Sequence, residues 1–276
     1  MPRSMFGAER RESMKLIRHL IIFLMILIFL LGLGVLLYPY VRGYLVDHRI
    51  EQEAREFLSW VEIPPFVPDP SESTVVIDAP TGPTEPTEPD TYVELWRDMI
   101  AYNEKLYDSG QKDLNCKLAY ETPNFHLSDY GLEDEIFAVI SIPKLDLQMP
   151  IYLGASYQHM ADGAALLSQT SIPIGGNDTN CIIAGHRGWK GASYFRYITD
   201  LEIGDTITIT NLWEELTYQV CEIQIIEPYQ VEQIFIRSGR ELVTLLTCHP
   251  YASGGRQRYL VICERIENEP DIEITQ

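Results

Sequence analysis

The rhythm of apolar and polar positions changes several times along the chain, and each change predicts a different kind of element. Residues 20–38 carry no charge and are apolar apart from Gly32 and Gly34, a run long enough to cross a bilayer as a helix. Residues 44–60 then mix apolar and charged positions at helical spacing, with Leu45, Ile50, Phe57 and Leu58 among the apolar ones, which predicts an amphipathic helix. From 63 to 90 the pattern collapses into Pro, Thr, Glu and Ser, with Thr-Glu-Pro repeated at 84–86 and 87–89. Such a composition buries too little apolar surface to fold and reads as an extended linker. Thr91-Tyr92-Val93-Glu94 has the form of a capping box and opens a helix to about residue 107. Trp96, Met99, Ile100, Tyr102 and Leu106 are its main apolar residues, and Ser109-Gly110 ends it.

From residue 136 onward nearly every apolar run is short and rich in β-branched residues. Strands are expected at 137–142, 149–152, 181–186, 206–210, 216–227, 241–247 and 258–265, with turn signals at 173–178, 204–205, 210–211 and 238–239. Residues 193–201 read as one short helix. Short strands at this spacing predict a mostly β domain closed into a barrel.

Composition sharpens this outline. With 46% hydrophobic residues, 276 residues support one substantial core and additional segments. A net charge of −19 argues against nucleic acid as a partner. The basic residues Arg3, Arg10, Arg11, Lys15 and Arg18 cluster before the apolar run, which places the N-terminus in the cytoplasm and the rest of the chain outside. Bulky Tyr38-Pro39-Tyr40-Val41 follows the run in place of a small-residue cleavage site, so an uncleaved anchor fits better than a signal peptide. The expected layout is a cytoplasmic basic segment at 1–19 and a transmembrane anchor at 20–38. A juxtamembrane helix at 39–62 and the linker at 63–90 follow. Next come a helical segment at 91–135, the β-barrel at 136–265 and an acidic tail at 266–276 that no second membrane helix follows. Five cysteines without regular spacing make neither a disulfide framework nor a zinc motif. Cys181, Cys221 and Cys263 lie in apolar runs as packed core thiols, and Cys116 lies in a polar stretch.

The candidate chemistry gathers at strand ends. Thr244-Leu245-Leu246-Thr247-Cys248-His249-Pro250-Tyr251 delivers a cysteine at the end of a buried strand, and Arg258 stands ten residues further on at the start of the next. Asn180-Cys181-Ile182-Ile183-Ala184-Gly185-His186-Arg187-Gly188 delivers a histidine in the same way. A thiol, an imidazole and a guanidinium brought together supply a nucleophile, a proton shuttle and a partner for a developing oxyanion. His249 is the rival base, but adjacent strand residues face opposite ways, so it points away from the sulfur. Arg256 is the rival arginine; it falls in the Gly-rich loop before the strand, where a side chain is held less firmly.

These motifs, together with Ile142-Pro143 and Pro150-Ile151-Tyr152-X-Gly154, resemble the sortases, cysteine transpeptidases of Gram-positive cell surfaces, over residues 91–265. The resemblance implies a closed eight-stranded β-barrel with short helices. It implies that Cys248 attacks the Thr–Gly carbonyl of an LPXTG-like sorting signal, that His186 protonates the leaving amine, and that Arg258 steadies the oxyanion. The pilin-polymerising class is the most similar, which makes a pilin lysine the expected acceptor. The alternatives are transfer to a peptidoglycan cross-bridge or an inactive, membrane-tethered binding barrel. In that class a lid follows the first helix; residues 118–132 correspond to it, with Phe125 as the candidate lid residue. The resemblance calls for no metal or organic cofactor.

Overall fold

Among the described residues, ten strands form, and eight of them close into a barrel. In the computed structural model the described residues are 5–61, 88–115, 120–133 and 135–266. The strands are β1 (Ile136–Ile142), β2 (Leu147–Leu153), β3 (Ala164–Leu166), β4 (Thr179–Ala184), β5 (Arg187–Trp189), β6 (Ala192–Tyr194), β7 (Thr206–Asn211), β8 (Glu215–Ile226), β9 (Glu241–His249) and β10 (Gln257–Arg265). The barrel order is β1-β2-β3-β4-β9-β10-β8-β7, and β5 and β6 form a separate two-stranded sheet. The expected mostly β, closed eight-stranded fold is therefore present.

Two elements differ from expectation. β3 is three residues of Ala-Ala-Leu, too short and too poor in β-branched residues to register as a strand, yet it links β2 in parallel to β4 in antiparallel. The helix expected at 193–201 is instead β6 followed by a single 3₁₀ turn at Ile198–Asp200, and Tyr194 takes a left-handed φ of 44°, which a continuous helix does not admit.

Alternation along β4, β9 and β10 separates two apolar layers. Ile183, Val243, Leu245 and Val261 are fully buried on one face. On the other, Ile182, Ala184, Leu242, Leu260 and Ile262 form a cluster with Leu114, Leu167, Ile226 and Ile234, joined by the partly buried Leu246, Tyr120 and Phe235. These strands are thus apolar on both sides, which explains their near-continuous hydrophobic sequence.

The chain divides into two compact units, one comprising residues up to Val46 with Lys190–Ala192, the other Asp47–Trp189 with Ser193 onward. In the first, helix α1 (Met5–Trp60) carries one stretch long and apolar enough to cross a membrane, with its large apolar side chains exposed. There Gly43 meets Gly191 so closely that a Cβ on Gly43 would lie 2.3 Å from the Gly191 carbonyl oxygen.

The second unit begins at Asp47, well before the helix at which the sequence reading opens the folded domain. Ile50, Ala54 and Phe57 of α1 and Val61 beyond it are buried at helical spacing, whereas Leu45 is exposed. Helix α2 (Glu88–Ser109) starts inside the expected linker, the remainder of which lies outside the described residues, as do Cys116 and the tail after Ile266. It buries Leu95, Trp96, Met99 and Leu106. Its buried Asn103 donates to the Ile172 carbonyl at 3.0 Å and accepts from the Ile172 amide at 2.8 Å, satisfying both backbone polar groups of one residue.

Burial of Phe57 predicts that residues 47–61 contribute to stability. Phe57→Ala is expected to cost about 3–5 kcal/mol, and a fragment starting at Thr91 to melt below one starting at Asp47. Thermal unfolding checks both; equal midpoints for the two fragments contradict the boundary at Asp47.

Candidate active site

β9 is the middle of three strands that carry the candidate residues. It pairs with β10 in antiparallel fashion, with Arg258 directly opposite Cys248, Leu260 opposite Leu246 and Ile262 opposite Thr244. It pairs with β4 in parallel, with Ala184 beside Leu246 and Ile182 beside Thr244. The Gly185 amide donates to the Leu246 carbonyl at 3.0 Å, which carries this register one residue past the end of β4, with His186 next along the chain. Directly opposed residues share a face with Cβ atoms roughly 4.5–5.5 Å apart. Cys248 and Arg258 therefore share a face as one rung, His186 follows two residues after Ala184 on the neighbouring β4, and the apolar residues below, Ala184, Leu246, Leu260, Ile182 and Ile262, make a floor leading up to the sulfur.

Each strand end is fixed from the side. The Thr247 hydroxyl donates to the Gly185 carbonyl at 2.7 Å. The Phe195 amide donates to the His186 carbonyl at 2.9 Å, so the β5–β6 hairpin springs from His186 and returns to it. Gly185 is glycine for a reason of space: a Cβ there would lie 2.5 Å from the Phe195 ring. Two hairpin side chains enclose the imidazole, Trp189 stacked on it at 5.1 Å between centroids and Tyr194 edge-on at 5.6 Å. This enclosure strips water from the ring and lowers the His186 pKa below its ordinary value, so the ring is neutral at pH 7.

The rival residues sit elsewhere. His249 faces away from the rung, stacked on Tyr259 at 5.6 Å, with its Nδ1 2.6 Å from Arg187 Nη1. Burial first, and the Arg187 charge second, lower its pKa. Arg187 also lies 3.5 Å from the Cys248 carbonyl oxygen, a contact the sequence reading did not anticipate although Arg187 stands next to His186. Arg256 is exposed in the β9–β10 connection, while Arg258 is half-buried on β10 and donates to the Gly255 carbonyl at 2.7 Å. Gly255 closes over the rung, where a Cβ would lie 3.1 Å from Arg258 Nη1 and 3.2 Å from Cys248 Sγ.

Phe125 packs edge-on against Tyr102 of α2 at 5.6 Å, and Asn124 bonds the same tyrosine at 2.8 Å. The residues of this region that join the cluster on the floor are Leu114, fully buried, and Tyr120, whose hydroxyl donates to the Leu114 carbonyl at 2.6 Å. Phe125 stood out because residues 118–132 correspond to the lid of similar sortases; nothing in the local pattern marks Leu114. Cys181 and Cys263 are buried and their thiol pKa values are raised by burial, as befits inert core thiols.

Comparison with known proteins places this arrangement in a family. A Sortase domain model matches residues 140–266. The solved Pilus-related Sortase C of Group B Streptococcus is 30% identical, with a TM-score of 0.51 over 62% of this chain and 91% of that one. Sortase C1 of GBS Pilus Island 1 is 30% identical, with a TM-score of 0.56 over 68% and 93%. Sortase D of Bacillus subtilis is 24% identical over 130 residues, 46% of this chain and 63% of that protein, so the match spans less than two thirds of that relative. The chain belongs to the sortase family.

Because the Gly185 position has no room for a methyl group, Gly185→Ala is expected to displace Phe195 and cost about 1–3 kcal/mol. A fall in the thermal unfolding midpoint checks this, and an unchanged midpoint contradicts the packing described.

Proposed function

We propose that this chain is a membrane-anchored cysteine transpeptidase that cleaves an LPXTG-like signal between Thr and Gly and transfers the acyl group to an amine, a pilin lysine being the acceptor. The observation that carries the reading is Arg258 directly opposite Cys248 on β10 and β9, with His186 two residues past the end of β4, the strand on the other side of β9. Likeness to sortases whose names associate them with pili supports the choice of acceptor. The apolar stretch of α1 is the anchor, and the basic residues before it hold the N-terminus in the cytoplasm.

The neutral His186 ring decides how the step begins. The imidazole takes the thiol proton as Cys248 Sγ attacks the threonyl carbonyl carbon and the C–S bond forms. Arg258 donates hydrogen bonds to the oxygen as its charge grows. His186 then gives the proton to the glycine nitrogen as the C–N bond breaks, leaving a thioester. The acceptor amine attacks the thioester carbonyl carbon, the C–S bond breaks as the new amide forms, and the proton the amine sheds returns through His186 to the sulfur.

The apolar floor below the rung suits the leucine of the signal, and Leu114 with Tyr120 covers it. We assign the lid role to these two residues in place of Phe125, which contacts α2.

Hydroxylamine as acceptor with an LPXTG peptide tests the chemistry. Cys248→Ala should give no hydroxamate; Arg258→Lys should be nearly as damaging as Arg258→Ala, since an ammonium lacks the planar fork of donors; and Arg256→Ala should keep most activity. A dead Arg256→Ala enzyme with an active Arg258→Ala one overturns the assignment. A pilin domain against a cross-bridge peptide, offered together, decides the acceptor.

The pH profile follows from the lowered His186 pKa. The neutral ring is the base, so falling pH protonates it and removes activity, and the acid limb of kcat/KM should turn below pH 6.5. A limb turning well above that value contradicts a neutral resting ring. Leu114→Ala should speed alkylation of Cys248, and Phe125→Ala should not; the opposite ranking returns the lid to Phe125.

A further inference from the structure

We propose that Asp47, on the part of α1 that follows the membrane stretch, is a positioning residue for His186, acting through the β5–β6 hairpin. The inference rests on the proposed role of His186 as the proton shuttle. Asp47 grips the hairpin at its returning strand: Oδ1 accepts from the Ser193 backbone amide at 2.8 Å, and Oδ2 accepts from the Ser193 hydroxyl at 3.1 Å. Both carboxylate oxygens are thus spent on one residue, across 146 positions of sequence. Hydrogen bonds to an ionised acceptor are about twice as strong as neutral ones, so this is a firm hold on a three-residue strand that also pairs with β5.

From Ser193 the hold reaches the imidazole in one step. Tyr194 is the next residue, nearly fully buried, and its ring meets His186 edge-on. Its hydroxyl donates to the Ala161 carbonyl at 2.7 Å, at the end of the short helix α3 (Tyr157–Asp162). The same stretch of α1 reaches α3 as well, through Arg49 and Asp162 at 2.8 Å, and Tyr157 of α3 meets the Trp189 ring edge-on at 6.0 Å. That ion pair is half exposed and contributes little alone. The Asp47 bonds are the stronger route.

The rings that meet the imidazole are Trp189 and Tyr194 from the hairpin, and the neighbouring Arg187 bonds His249. The dryness of the ring therefore depends on the hairpin staying closed over it. Loss of the Asp47 hold loosens β6, admits water to the ring and lets it turn from the sulfur. Ile50, Ala54 and Phe57 dock the helix whether or not Asp47 is present, so this effect is separable from the helix's contribution to stability.

The test uses the full chain in detergent. The pH titration of Trp189 fluorescence, taken as the difference between the parent and Trp189→Phe, reports protonation of the stacked imidazole without needing activity. The parent midpoint should lie below 6.5. Asp47→Ala should raise it toward 6.5 and lower kcat for hydroxamate formation roughly ten- to hundredfold with little change in KM. Asp47→Asn, which keeps an acceptor for the Ser193 amide, should restore much of both. Ser193→Ala, which removes only the hydroxyl bond, should shift the midpoint the same way by less, and it serves should Asp47→Ala fail to fold. Parent-like titration and kcat in Asp47→Ala and Ser193→Ala overturn the proposal. So does an equal loss in Asp47→Ala and Asp47→Asn with the midpoint unmoved. A shifted titration in a protein whose parent makes no hydroxamate sustains the coupling and sinks the transpeptidase reading instead.

Discussion

Strand β9 is hydrogen-bonded on both sides, to β4 in parallel and to β10 in antiparallel, and the register of those two ladders fixes where every reactive group stands. A slip of one residue in either ladder would turn a side chain to the opposite face of the sheet. Cys248 would then share its rung with Gln257 in place of Arg258. The register is secured by burial on both faces, since every apolar residue of the three strands would change layers in a slip. Both layers are close-packed, so pushing Ile182, Ile183, Val243, Leu245, Leu260, Val261 and Ile262 into spaces shaped for other side chains opposes that exchange. The core thus does more than hold the barrel closed; it indexes the site.

That double burial also explains the outer layer. A barrel wall that faced water would alternate apolar with polar residues, yet Ile182, Leu260 and Ile262 face outward and are covered by Leu114, Tyr120, Ile234 and Phe235. The cover comes from the segment after α2 and from the β8–β9 connection. The reactive rung lies at the edge of the apolar floor, half-buried, where His186 is dried by its hairpin and Cys248 remains within reach of solvent.

The barrel was legible in the sequence because its long strands are built from β-branched runs between Gly- and Pro-rich turns. β3 was not, being three small or unbranched residues whose pairing is decided by its neighbours. The β5–β6 hairpin was hidden for a related reason: Arg187-Gly188-Trp189 has no strand period, and its place is set by Phe195 returning to His186. The sequence located the cysteine, histidine and arginine as strand-end residues, and alternation alone sent His249 to the other face. It did not show what encloses His186, nor that Ile50, Ala54 and Phe57 of α1 belong to the catalytic unit, because an amphipathic pattern names a buried face without naming its partner. Leu114 and Arg187 went unremarked because a leucine near a helix end and an arginine beside a glycine carry no local signal; only the register makes them neighbours of the site.

The central claim is that Cys248, placed by β9 between His186 and Arg258, forms a covalent thioester with the threonyl end of a sorting signal. Incubation with an LPXTG peptide in the absence of an added amine, quenching in acid and intact-mass measurement followed by peptide mapping tests it most directly. The account predicts a mass increase equal to the acyl fragment, carried by the peptide containing Cys248 and released by hydroxylamine. The same adduct on Cys221 or any other cysteine, or cleavage of the peptide with no covalent species and no effect of Cys248→Ala, would contradict it.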